Sequence, residues 1–185
     1  MRPAGNVGCA NYSARMSMIG RYLRVSPEQL ATAIADPTAA LDEVYAVVDA
    51  EEEAEPPTRE ARHYSTYKAW GALEFLFDRY GFPVNVVHGE IAFAPGEDWG
   101  YGEPHYLPVE RVREAAAELG ELTYDALVRG VDPAELKRAD VYPGHWDPDD
   151  GEDDPLAWPR SWYDDLVVYF GAAAESGDAM LLWLD

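Results

Sequence analysis

Cysteine is almost absent: Cys9 is the only one in 185 residues. A disulfide within one chain is therefore impossible, and so is a zinc site built from several cysteines. That usage fits a cytoplasmic protein. Lysine is nearly as scarce, with Lys68 and Lys137 against twelve arginines. No apolar run approaches the roughly 18 residues of a spanning helix. Arg2 is not followed by the apolar stretch of a signal peptide. The loop Trp99-Gly100-Tyr101-Gly102-Glu103-Pro104 lacks the glycine spacing and the Lys-Ser/Thr pair of nucleotide loops. There is no His-Glu-x-x-His and no Gly-x-Ser-x-Gly. No cofactor and no metal is implied.

What the chain has in excess is negative charge, a net −21. Residues 1–15 hold Arg2 and Arg15 and no acid, so the remainder carries 35 acids against 12 bases. Such a surface repels nucleic acid and anionic membrane, and it suits a basic protein partner. Apolar content of 48% and aromatic content of 12% are those of a chain with a real core. Acids concentrate at 49–55, five of seven residues, and at 147–154, six of eight. Both stretches read as charged loops. In the second, placing Gly151 at position six of a calcium loop puts Trp146 at position one, so the register fails.

Periodicity organises residues 16–185 as one layered domain, with residues 1–15 as a flexible extension. A strand is expected over Met18 to Val25. Ser26-Pro27-Glu28-Gln29 opens a helix with a capping box, and Asp36-Pro37 opens a second. A central helix is expected over Ser65 to Arg79, with Tyr67, Trp70, Leu73 and Phe77 on one face. Val84 to Ala94 reads as two short strands or a bent one, and His105 to Leu107 as another. Further helices follow from Val109, Thr123, Asp132 and Ser161, the last with Trp162, Leu166, Tyr169 and Phe170 inward. Val141 to Trp146 reads as a strand and turn. Ala179 to Leu184 is an apolar run suited to a strand buried on both faces. Helices interleave with strands, so the fold class is α/β (or α+β), a mixed sheet flanked by helices.

Several segments together resemble the YfbM-like family, a bacterial domain family of unknown function. They are Met16-Ser17-Met18-Ile19-Gly20-Arg21-Tyr22-Leu23-Arg24-Val25, Lys68-Ala69-Trp70 with Leu73-Glu74-Phe75, Gly100-Tyr101-Gly102 with Tyr106-Leu107, Val141-Tyr142-Pro143-Gly144, and Ser176-Gly177-Asp178-Ala179. The resemblance covers residues 16–185 and implies a layered α/β fold. It implies no activity. The family often has histidine where this chain has Glu74, so a role resting on that histidine does not transfer.

Glu74 is the residue of greatest chemical interest. Its helical phase falls between those of Trp70 and Tyr67, into the apolar face, where a carboxylate becomes a candidate general acid or base. Two functions compete. One is a non-catalytic, immunity-like binding protein facing a basic partner, with Lys68, Trp70, Trp99, Tyr101 and Tyr142 as contact residues. The other is a small hydrolase-like enzyme with Glu74, Tyr101 and His105 as catalytic candidates and Tyr142 beside them. His88, Glu90, His105 and His145 supply ligand-type side chains, but none has the spacing of a zinc helix.

Overall fold

The computed structural model describes residues 17–97, 99–144, 146 and 154–185. Their elements in chain order are β1 (Gly20–Val25), α1 (Pro27–Ala35), α2 (Pro37–Ala54), β2 (His63–Tyr67), α3 (Trp70–Tyr80), β3 (Ile91–Ala92), β4 (His105–Leu107), α4 (Val109–Glu121), α5 (Tyr124–Leu127), α6 (Pro133–Arg138), α7 (Arg160–Ser176) and β5 (Ala179–Leu184). The strands form one sheet in the order β2-β1-β5-β4-β3. Every pair is antiparallel, so the sheet is not the mixed one expected. Alternating helices and strands suggest parallel crossovers only if each strand re-enters in the same direction. Here each neighbour runs the opposite way.

β5 lies in the middle of the sheet, which explains its unbroken apolar sequence. Five of its six residues are buried. Met180 and Leu182 join Tyr22 and Leu107 on one face, under α3, α4, α5 and α7. Ala179, Leu181 and Trp183 join Leu23 and Val25 on the other, under α1 and α2. This is the period-two alternation of a pleated strand with a core on each side.

Local signals placed several elements correctly. Ser26 and Gln29 form the reciprocal capping box. Asp36 accepts from the Ala39 N–H at 3.1 Å and starts α2. Gly177 ends α7 in the left-handed conformation, φ 73°.

Five expectations fail. The acidic run at 49–55 is not a loop, because α2 continues to Ala54. Glutamate and alanine are good helix formers. Acids at a helix C-terminus oppose its dipole, but tertiary partners offset this. Glu51 accepts the backbone N–H groups of Arg62 and His63 at 2.9 and 2.7 Å, and Glu52 meets Arg21 at 2.9 Å. Glu51 thereby covers part of the edge strand β2.

The expected helix over Ser65 to Arg79 starts late. His63–Tyr67 is a strand with Tyr64 and Thr66 buried, and Tyr67 leaves it at φ 50°. The run Tyr-Ser-Thr-Tyr favours strand, and its pairing with β1 decides the outcome. Val84 to Ala94 contributes only the two-residue β3. Val84, Val86 and Val87 instead pack into the core from a turn, where Asn85 Oδ1 accepts from Val87 N and His88 N. Val141 belongs to no strand, and Tyr142-Pro143 is a turn. On α7, Tyr163 takes a core position at 1% exposure. Trp162 is only partly buried and stacks on Tyr67, centroids 6.0 Å apart.

Two arginines tie the layers together. Arg24, on β1, is buried and reaches Asp178, Ser176 and the carbonyls of Arg59, Ala61 and Ala172. Arg21, on the opposite face, bonds both Asp185 oxygens at 3.1 Å and also Glu52. Its Nη1 lies 3.4 Å from His63 Nε2.

Candidate functional site

Trp70, the first residue of α3, lines a cleft that brings aromatic and acidic side chains together. Its Nε1 donates to the Met18 carbonyl at 3.1 Å. The Met18 N–H in turn donates to the Tyr142 hydroxyl at 3.1 Å. Trp70 and Tyr142 stack with centroids 5.2 Å apart and planes at 18°. Two small residues permit this. A Cβ on Gly20 would lie 3.0 Å from Trp70 Cβ and closer still to Thr66 Oγ1. A Cβ on Gly71 would lie 2.7 Å from the Tyr142 carbonyl oxygen.

That second contact is with backbone and cannot be relieved by a rotamer change. Gly71→Ala is therefore expected to push Tyr142 off Trp70 and to cost about 1–3 kcal/mol, despite alanine's better helix propensity. Urea denaturation combined with tryptophan fluorescence measures both effects. A variant as stable as the parent with unchanged emission contradicts the tight contact.

One turn further along α3, Glu74 Oε1 lies 2.9 Å from His88 Nε2. The imidazole edge also meets the Trp70 ring, centroids 5.8 Å apart. His88 is presented by the 84–89 turn, which a bidentate ion pair anchors to α4. Arg111 Nε meets Glu90 Oε2 at 2.7 Å and Nη2 meets Oε1 at 2.5 Å, while Nη2 also donates to the Pro83 carbonyl at 2.7 Å. The guanidinium holds the Glu90 carboxyl below the usual range. Glu90 is thus an anchor for the turn.

Glu74, Asp78 and Asp140 line a cleft of about 310 Å³ together with Trp70, Phe75 and Tyr142. Among the described residues no lysine or arginine lines it. Glu74 and Asp78 are i, i+4 neighbours on α3 and so share a face. Asp140 approaches from the turn after α6, with φ 52°.

The sequence-derived candidates divide. Trp70, Glu74 and Tyr142 meet in this cleft. Tyr101 and His105 do not line it. The Tyr101 N–H donates to the Leu184 carbonyl at 2.8 Å, in a loop folded over the end of β5. His105 sits on β4 opposite Leu182, its Nδ1 3.0 Å from the Glu103 carbonyl. Trp99 is 2% exposed and packs between Phe93 and Trp183, so it is a core residue and not a contact surface. Lys68 lies with its Nζ 5.6 Å from the Tyr67 centroid, outside the cleft lining. Glu74 is not immersed in an apolar face either; its side chain is 41% exposed and paired with His88. The helical phase that aimed it inward assumed that Tyr67 belonged to the same helix, which it does not.

Asp78, Asp140 and the Glu74–His88 pair are absent from the sequence reading. The i, i+4 spacing of Glu74 and Asp78 was legible. The other two partners depend on turns that no periodicity reveals. His145 and residues 147–153 lie outside the described residues. Among the described residues no group of three or more His, Cys, Asp or Glu side chains is placed to hold a metal ion. No helix there is long and apolar enough to cross a membrane.

The family model described as "Domain of unknown function (DUF1877)" matches residues 16–183. The chain belongs to the DUF1877 family. Among solved structures it is similar to "a Protein of Unknown Function YfbM from Escherichia coli", at 16% identity and a TM-score of 0.63. That match covers 90% of this chain and 99% of the other. At this identity the likeness establishes the DUF1877 fold and nothing about activity. No curated protein matches. Met18, Trp70 and Tyr142, which build the cleft wall, all fall within the span matched by the family model.

Proposed function

We propose that this domain is a non-catalytic binding protein of the cytoplasm whose cleft between α3 and the 139–142 turn receives a basic group of a protein partner. One observation carries the reading. Three carboxylates, Glu74, Asp78 and Asp140, stand with Trp70, Phe75 and Tyr142 around one cleft that, among the described residues, is lined by no lysine or arginine. The acids attract a cation by charge, and the partly exposed rings of Phe75 and Tyr142 add apolar surface beside them. The net charge of −21 steers a basic partner toward the surface and disfavours nucleic acid.

A hydrolase reading loses support. Glu74 is engaged by His88, and Tyr101 and His105 lie outside the cleft lining, so the proposed catalytic groups do not converge on one substrate position.

The test is a calorimetric titration of the full chain with a short basic peptide, repeated on the double variant Glu74→Gln, Asp140→Asn. Losing two charged partners at about 1 kcal/mol each predicts a roughly 30-fold weaker complex. Raising salt from about 50 mM to about 500 mM weakens the parent complex in the same direction. Equal affinity for parent and variant would remove the cleft from the account.

A further inference from the structure

We propose that the cavity between the α1–α2 pair and the sheet binds a free α-amino acid with a branched aliphatic side chain, of the size of valine or leucine. This site lies across the sheet from the Trp70 cleft and shares no lining residue with it.

The cavity exists because the helices meet the sheet through small residues. Ala33 on α1 and Ala40 on α2 line it together with Leu23 and Val25 of β1, Leu181 of β5 and Val44. The space is about 90 Å³, room for roughly six to nine water-sized atoms. Aliphatic walls of this size suit a single aliphatic side chain and exclude a peptide.

Arg62 and Glu43 also line the cavity. Arg62 is held in place through its backbone. Its N–H donates to Glu51 Oε1 at 2.9 Å, and its carbonyl accepts from the Arg24 N–H at 2.8 Å and from the Tyr169 hydroxyl. Among the described residues its guanidinium meets no carboxylate. The other buried or half-buried arginines, Arg21, Arg24 and Arg111, each have an acid partner. With 35 acids against 14 bases in the chain, a half-buried arginine without an acid is the exception, and an unpaired charge removed from water is costly. Glu43 likewise has no ion-pair partner among the described residues. It lies two turns, about 12 Å of helix, before Glu51, which holds the Arg62 backbone. Opposite charges thus line one cavity without neutralising each other.

A zwitterion completes that arrangement. Its α-carboxylate meets the Arg62 fork, its α-ammonium meets Glu43, and its side chain fills the aliphatic space. A carboxylate alone is repelled by Glu43, and an amine alone leaves Arg62 unpaired. Asp36, another acid of the lining, is engaged as the cap of α2, where its Oδ1 accepts from the Ala39 N–H.

Calorimetry on the full chain compares leucine and valine with three fragments: isocaproate, which lacks the ammonium, isoamylamine, which lacks the carboxylate, and glycine, which lacks the tail. The expected result is binding of leucine or valine, with every fragment about tenfold or more weaker. Glu43→Gln and Arg62→Gln each weaken the amino acid about tenfold or more and remove different preferences. Glu43→Gln binds isocaproate as tightly as leucine, whereas Arg62→Gln no longer prefers leucine to isoamylamine. A role in folding alone does not produce that crossed pattern, and a melting curve checks the fold. Isocaproate matching leucine in the parent overturns the inference, as do variants that bind leucine as the parent does. Absence of both binding heat and thermal stabilisation with the two amino acids also overturns it. The Glu74→Gln, Asp140→Asn variant retains amino-acid binding, so failure at this site leaves the Trp70 cleft to its own test.

Discussion

Arg24→Ala lowers the unfolding free energy by about 3–5 kcal/mol, the range for removing one partner from a buried charge network. Arg24 is 9% exposed. Its Nε and Nη2 meet Asp178 at 3.0 and 2.9 Å, and Nη2 also reaches Ser176 Oγ at 2.8 Å. The remaining bonds go to the carbonyls of Arg59, Ala61 and Ala172 at 3.2–3.3 Å. One side chain thus joins β1, the segment before β2, the last turn of α7 and the start of β5. Truncation leaves the half-buried Asp178 carboxylate and the buried carbonyls of Ala61 and Ala172 without this partner. Domains of this kind have about 5–15 kcal/mol in total, so the loss is a large share. Arg24→Lys recovers only part of it, since three donors on one nitrogen cannot serve contacts spread around a planar fork. Urea denaturation with an unchanged slope measures the difference. A loss below about 1 kcal/mol contradicts the network's role.

The second large effect depends on pH. Burial, reinforced by the Arg21 guanidinium, lowers the His63 imidazole to about 4. In the unfolded chain the same group takes up its proton near its ordinary value of about 6.5. Between those values the unfolded state binds more protons than the folded one. The stabilisation is therefore complete above about pH 6.5 and is lost as the pH falls toward 4. The full difference is about 3 kcal/mol, and about 2 kcal/mol of it is gone by pH 5, before most carboxylates titrate. His63→Gln flattens this part of the profile, because glutamine cannot take up the proton. Subtracting the variant's stability from the parent's at pH 7 and pH 5 isolates the contribution, since His88 and His105 are common to both. A difference that stays constant over that interval contradicts it.

The sequence was a good guide wherever a signal was local. Ser26, Asp36 and Gly177 mark helix ends by their own side chains or by the lack of one, and each was legible. The apolar run of β5 required burial on both faces, which its central position supplies. The errors arise where a distant partner decides. Residues 49–55 look like a solvated loop until β2 offers its N–H groups to Glu51 and Arg21 meets Glu52. Tyr67 has the right phase for a helix face, yet β1 draws residues 63–67 into the sheet. The same error aimed Glu74 inward. Strand direction was equally hidden, because interleaved helices and strands permit either sense.

The site was half legible. Trp70 and Glu74 stood out on an apolar helix face and Tyr142 in a segment that resembles the family, and they meet in one cleft. Trp99 stood out as an aromatic in a glycine-rich loop and is core, since an indole beside glycines looks identical from sequence whether it faces solvent or Trp183. His88 and Asp140 carry no periodic signal. Their positions follow from the Asn85 turn, the Arg111–Glu90 anchor and a left-handed residue after α6.

The claim on which the functional account rests is that a basic group enters the cleft beside Trp70. A two-dimensional ¹H–¹⁵N NMR titration with an arginine-containing peptide tests it most directly, because the Trp70 indole N–H, bonded to Met18, reports from the cleft wall itself. The account predicts saturable shifts of that resonance and of the Gly71, Glu74 and Asp140 amides, with the Trp99 and Trp183 indoles on the far side of the sheet unmoved. Shifts centred on any other surface, with the Trp70 indole unchanged at saturation, would contradict it.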